Sequence, residues 1–109
     1  MALTYKTDVI TLNVVDTDFT ILTASAESTL VKNITWNHDD HNTVVTLSIT
    51  KSGGSKIKIG EFSATANEPL KIWTDVLPLA ANDILHLQSN HISGSDVGYC
   101  VVSYVEDTT

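Results

Sequence analysis

The sequence predicts an all-β fold: an antiparallel β-sandwich of about eight short strands, jelly-roll or immunoglobulin-like in connection. Three observations carry this. The chain holds 15 Thr and 10 Ser among its 109 residues, and Thr, like Val and Ile, carries a branched β-carbon that suits a pleated surface. Runs rich in β-branched residues recur at intervals of roughly 8–14 residues with turn residues between them, the pattern of sandwiches and barrels. Nowhere do apolar residues repeat at helical spacing for three turns. AESTL and LAAND hold a single helical turn at most.

In chain order the strands are expected at VITLNVV (9–15), FTILTA (19–24), TLVKNITW (29–36), TVVTLSIT (43–50), KIKIGEFSA (56–64), LKIWT (70–74), DILHLQS (83–89) and VGYCVVSYV (97–105). Alternation names a core. Leu30, Ile34 and Trp36 share one parity, as do Val45, Leu47 and Ile49, then Ile57 with Ile59, and Leu85 with Leu87. Their opposite faces carry Asn33, Thr35, Thr46, Ser48, Lys56, Lys58, His86 and Gln88, so one face is buried and one is wet. The last strand is apolar on both sides. Tyr99, Val101 and Val105 lie on one, Cys100, Val102 and Tyr104 on the other, so this strand is either central or covered by another subunit. LSITKSGGSKIKI reads as a hairpin tipped by Ser52-Gly53-Gly54-Ser55, and TWNHDDHNTVV as a second hairpin. NHISGSDV links the last two strands. One core, and so a single domain over 1–109, is expected at this length.

Charge narrows the function classes. The formal net charge is −7, and all six basic residues are Lys. Arginine is the usual bidentate reader of phosphate and guanine edges. Its absence and the acidic balance argue against nucleic acid and against an anionic membrane surface. Cys100 is the single cysteine, so no intrachain disulfide is possible, and GYCVVSYV reads as a strand in which it packs as a small hydrophobe. The start, MALTYKTDVITL, carries no signal-peptide pattern. Asn33-Ile34-Thr35 matches a glycosylation sequon, which is read as chance.

The stretch TWNHDDHNT looks most like chemistry. His38, Asp39, Asp40 and His41 are all possible metal ligands. Asn and Asp also serve turns, because their side chains bond back to the local backbone. A polar turn is the reading adopted; a metal site on His38, Asp40 and His41 is the alternative. His86 and His91 would join that site only if the strands stacked suitably, and otherwise read as surface histidines. Asp16-Thr17-Asp18 lacks the glycine and terminal glutamate of a calcium loop and reads as a turn. No GxSxG, phosphate loop or Cys–His pair is present. Trp36 is in phase with the core, whereas Trp73 and Tyr104 are expected at an exposed surface or an oligomer interface. No enzyme activity and no cofactor are expected.

The order of segments resembles a known group. TILTASAESTLVKNITWNHDD, TVVTLSITKSGG, EPLKIWTDVLPLAANDILHLQS and SDVGYCVVSYVED together resemble the small β-sandwich virion proteins of tailed bacteriophages, over residues 20 to 107. The resemblance implies a structural protein of capsid decoration, neck, tail or fibre. It also implies oligomers, often homotrimers, bound to other virion proteins such as the major capsid protein. It transfers no catalytic residues, and makes HDDH the tip of a variable loop. Tyr99, Val102 and Tyr104 are then the candidate subunit contact. Two readings from other classes stand beside it. One is a carbohydrate-binding module for host attachment using exposed aromatics such as Trp73. The other is a small metal-dependent enzyme on His38, Asp40, His41 and His86.

Overall fold

The computed structural model describes residues 3–25, 28–38, 41–90 and 97–107. Nine strands occur among them: β1 Leu3–Leu12, β2 Phe19–Thr23, β3 Ser28–His38, β4 Thr43–Thr50, β5 Lys56–Ala64, β6 Leu70–Trp73, β7 Leu77–Ala80, β8 Ile84–Ser89 and β9 Gly98–Asp107. They form two antiparallel sheets. One runs β1-β9-β3-β6, with β7 also pairing with β3; the other runs β2-β8-β4-β5.

The pairing is nested. β1 pairs with β9, β2 with β8, β3 with β6 and β7, and β4 with β5. The chain is in effect one long hairpin, closed at Gly53-Gly54 and folded over into two facing sheets. That is the jelly-roll order, and it decides between the two connections left open above. The β4–β5 tip is as expected, with Gly54 N–H donating to the Lys51 carbonyl at 2.8 Å and Gly53 at φ 75°.

The core lies between the sheets. Val31, Ile34, Trp36, Val45, Leu47, Leu85, Leu87, Cys100 and Val102 are fully buried. Burying each large side chain is worth about 1.5–3 kcal/mol, so this interior holds the two sheets together. The Trp36 indole N–H donates to Thr43 Oγ1 at 2.9 Å across the sandwich, which satisfies the polar atom of the largest core side chain.

Four expectations are corrected here. β1 begins at Leu3, not Val9, because Leu3 to Asp8 continue an unbroken ladder with β9. Leu77–Ala80 is a strand, β7, where part of a helical turn was entertained. Leu30 does not share a face with Ile34 and Trp36. Lys32 is an extra residue opposite β9, between the pairs Val31↔Tyr104 and Asn33↔Ser103. Such a bulge switches parity, so Thr29 and Val31 point inward before it and Ile34 and Trp36 after it, while Leu30 faces out. Finally, TWNHDDHNTVV is not a hairpin. β3, ending at His38, and β4, beginning at Thr43, belong to different sheets, so the connection between them is a crossover.

The last strand is central, flanked by β1 and β3.

Candidate functional site

The HDDH stretch is anchored by its ends. His38 closes β3 and is 2% exposed, with its Nδ1 accepting the His41 backbone N–H at 3.4 Å. The two imidazoles meet edge to face at 6.1 Å, and the His38 ring lies 6.5 Å from that of Trp36. The His38 carbonyl accepts the Asn67 N–H at 2.9 Å, and Asn42 Oδ1 accepts the Ala66 N–H at 2.9 Å. These contacts tie the crossover to the turn after β5. Asp39, Asp40 and His91 lie outside the described residues.

His86 does not join this group. It sits on the outer face of β8, between the inward-facing Leu85 and Leu87, and its Nε2 meets Thr50 Oγ1 at 2.9 Å. It is opposite Ser48, five residues along β4 from Thr43. At ~3.3 Å per residue that is about 17 Å from the crossover. Among the described residues no three His, Cys, Asp or Glu side chains gather as ligands. The Asp16–Asp18 segment is a turn, with Asp16 at φ 52° and the Asp18 carboxylate paired with Lys56.

Beside the crossover lies an open depression of about 240 Å³, bounded by Asn42, Ser63, Thr65 and Asn90 among others. Its amide oxygens are committed: Asn42 as above, and Asn90 Oδ1 to the Val44 N–H at 2.8 Å. Among the described residues no acid, base or thiol lines it, so those residues supply no general acid–base chemistry there.

The expected exposed aromatics are not a platform. Trp73 is half-buried opposite the core residue Ile34 and packs against the core. Tyr104 is 7% exposed. It faces inward from β9, and its hydroxyl donates to Asp8 Oδ2 at 2.8 Å. Burial first, then the Asp8 carboxylate, push its pKa up to about 12. Val102 has no exposed surface at all. Of the three residues expected at a subunit contact, only Tyr99, 40% exposed on the outer face of β9, has substantial surface to offer.

The two most exposed large apolar side chains among the described residues, Tyr5 and Val9, lie instead on β1. Leu3, Tyr5 and Val9 are 53%, 76% and 64% exposed. They alternate with Thr4, Lys6 and Asp8, and Tyr5 stands in register with Val105, which stands beside Leu30, itself paired on its other side with Pro78. Together these residues make an apolar band across the outer face of the sheet. A depression of about 220 Å³ opens within it between Leu3, Leu30 and Val105. On the inner side, Lys6 Nζ pairs with the buried Glu106 at 2.6 Å. The hydrogen bond to Glu106, then its charge, raises the Lys6 pKa. The alternation in LTYKTDV was the available signal for this strand, and reading the strand from Val9 onward missed it.

No family model matches the chain, and no curated protein matches it. Among solved structures it is similar to a subunit of the Bacillus endospore appendages, described as a novel family of disulfide-linked pili. The TM-score is 0.63 at 8% identity, covering 98% of this chain and 89% of that one. At that identity the likeness is one of fold.

Proposed function

We propose that this chain is a non-enzymatic structural subunit of a bacteriophage virion, a capsid decoration protein or a neck or tail accessory protein. It acts by self-association and by binding other virion proteins, after assembly in the host cytoplasm. The observation that carries the reading is the β1 surface: a ten-residue strand at the sheet margin, exposed on most of its length, with an apolar band beside it. Large exposed apolar patches mark interaction surfaces. The acidic, arginine-free composition fits a protein partner better than nucleic acid. Several copies bound to a repeating particle would multiply weak contacts by avidity.

The similar fold in the disulfide-linked pilus shows only that a sandwich of this kind can build an assembly. Its disulfide linkage does not carry over. Cys100 has no exposed surface, and burial pushes its thiol up to about 12. A thiol of that kind neither ionises nor reaches a neighbouring subunit.

The test is peptide mass spectrometry of density-banded particles from a phage or prophage whose genome encodes this chain. Copy numbers comparable to those of the capsid, neck or tail proteins would support the reading. Particles without the chain, when it accumulates in the soluble lysate, would sink it.

A further inference from the structure

The two sheets have four open margins among the described residues: β1, the β6–β7 side, β2 and β5. An unpaired strand edge is a template for another strand, and folded proteins commonly blunt it with bulges, prolines, charges or shortness. Three of the margins carry such devices. The β6–β7 side has a bulge at Ile72, a break over residues 74–76, and Pro78. β2 is five residues long and bulged at Ile21. β5 is bulged at Ile59 and bears Lys56, Lys58 and Glu61. β1 carries neither bulge nor proline. Its ladder to β9 runs without a register shift from Leu3↔Asp107 to Leu12↔Gly98, and its blunting device is limited to two inner-side charges, Lys6 and Asp8, which oppose pairing unless each meets an opposite charge.

The sequence of β1 also selects a partner. In an antiparallel pair of identical strands about a two-fold axis normal to the sheet, residues of the same facing must oppose each other. An axis at Lys6 sets Lys6 against Lys6, and an axis at Asp8 sets Asp8 against Asp8. Like charges directly opposite are unfavourable. An axis at Thr7 sets Lys6 against Asp8 twice, Tyr5 against Val9 twice, Leu3 against Thr11 and Thr4 against Ile10. Opposite-charge pairs and aromatic–β-branched pairs are the favourable cross-strand combinations. The central five residues, Tyr5 to Val9, are thus palindromic in polarity about Thr7, while the outer pairs Leu3–Thr11 and Thr4–Ile10 each set an apolar residue against a threonine.

We infer that β1 is a self-recognition edge, pairing antiparallel with β1 of a second copy of this chain about a two-fold axis at Thr7. The two five-strand sheets join into one continuous sheet of ten strands, ordered β6-β3-β9-β1 and then the same in reverse, with β7 beside β3 in each half. The apolar band around Tyr5 continues onto Val9 of the second copy. Lys6, already beside Glu106, gains a second carboxylate from the facing Asp8.

The inference names the first partner of the assembly subunit proposed above, and the two fail separately. Absence from particles would sink the virion role and leave the dimer standing; a monomer in solution would sink the pairing alone. The experiment is sedimentation velocity on the wild-type chain and on Thr7→Lys. It is combined with mild oxidation of Thr7→Cys, Tyr5→Cys and Val9→Cys, each made singly. Thr7 is exposed, and its side-chain hydrogen bond, to Ser103 Oγ at 3.4 Å, is marginal, so these changes spare the fold. The wild type is expected to sediment as a dimer. Thr7→Lys should be monomeric with an unchanged circular dichroism melt. Only Thr7→Cys places its introduced thiol opposite itself, within the ~4.4–6.8 Å Cα span of a disulfide. It should therefore form covalent dimer at least tenfold faster than the other two. The inference is overturned by a wild type that is monomeric or trimeric. It is overturned equally by Thr7→Cys that cross-links no faster than Val9→Cys.

Discussion

Gly98 sits at the start of β9 directly under the Trp36 indole. A Cβ built at this position would lie 1.9 Å from Trp36 Cη2 and 2.4 Å from Cζ2. Ordinary carbon–carbon contact is about 3.5–4.0 Å, so Gly98→Ala demands a displacement of at least about 1.5 Å. The indole has no room to give. It is fully buried, and its N–H is held by Thr43 Oγ1. Overpacking a tight core typically costs about 1–3 kcal/mol, and this overlap belongs at the upper end, about 3 kcal/mol. With a urea m-value near 1.5 kcal/mol/M, within the range for small domains, the unfolding midpoint should fall by about 2 M. Gly53→Ala is the control. Gly53 has open space around it, and its cost comes from φ 75° alone, about 1 kcal/mol. The assay is urea unfolding followed by tryptophan fluorescence, which reports Trp36 together with the half-buried Trp73. A Gly98→Ala midpoint within about 0.3 M of wild type would refute the reasoning, as would a Gly53→Ala loss larger than that of Gly98→Ala.

Tyr104→Asp, attractive from the sequence as a way to make monomers, is expected to unfold the chain. It puts a carboxylate at a 7% exposed site near Asp8 and the buried Glu106, and an unpaired buried charge costs about 3–5 kcal/mol. Loss of the β-sheet circular dichroism signal checks it. Asp83 should make stability acid-sensitive. Its carboxylate is 1% exposed and accepts the Ser52 and Ala80 N–H groups at 3.0 and 2.9 Å beside Lys51. The hydrogen bond from Lys51 is the main cause that holds its pKa below the usual carboxylate value. The stabilisation is therefore complete above about pH 4, the unfolded pKa, and is lost as pH falls toward the folded one. Asp83→Asn should lower stability at pH 7 by about 1–3 kcal/mol and flatten the acid limb of a melting-temperature profile. Cys100 should resist a disulfide-exchange thiol reagent in the native state and react on unfolding in urea. Stoichiometric labelling of the folded chain within minutes would contradict its burial.

What was legible in the sequence was local. Thr43–Thr50 and Lys56–Ala64 are strands with the bounds that alternation predicted, and Val45, Leu47, Leu85 and Leu87 are buried as their parity required. Strand periodicity is a property of neighbouring residues, so it survives without knowledge of the partner. The HDDH stretch was legible only as polar. Whether it closes a hairpin or crosses between sheets depends on which strands pair, and that is decided by residues far along the chain.

The sequence by itself therefore determined the all-β class, most strand positions, the hairpin tip at Gly53 and the majority of the core. Tertiary structure alone decided the phase of β3. The extra residue Lys32 is visible only against its neighbour in β9, and it turned Leu30 outward. Tertiary structure also decided that β9 is central, which took Val102 and Tyr104 into the interior, and that β1 lies at a margin, which left Leu3, Tyr5 and Val9 in the open. The physical reason is common to all three. A strand's own residues set its alternation, but its neighbours in the sheet set which face is covered and which edge is free.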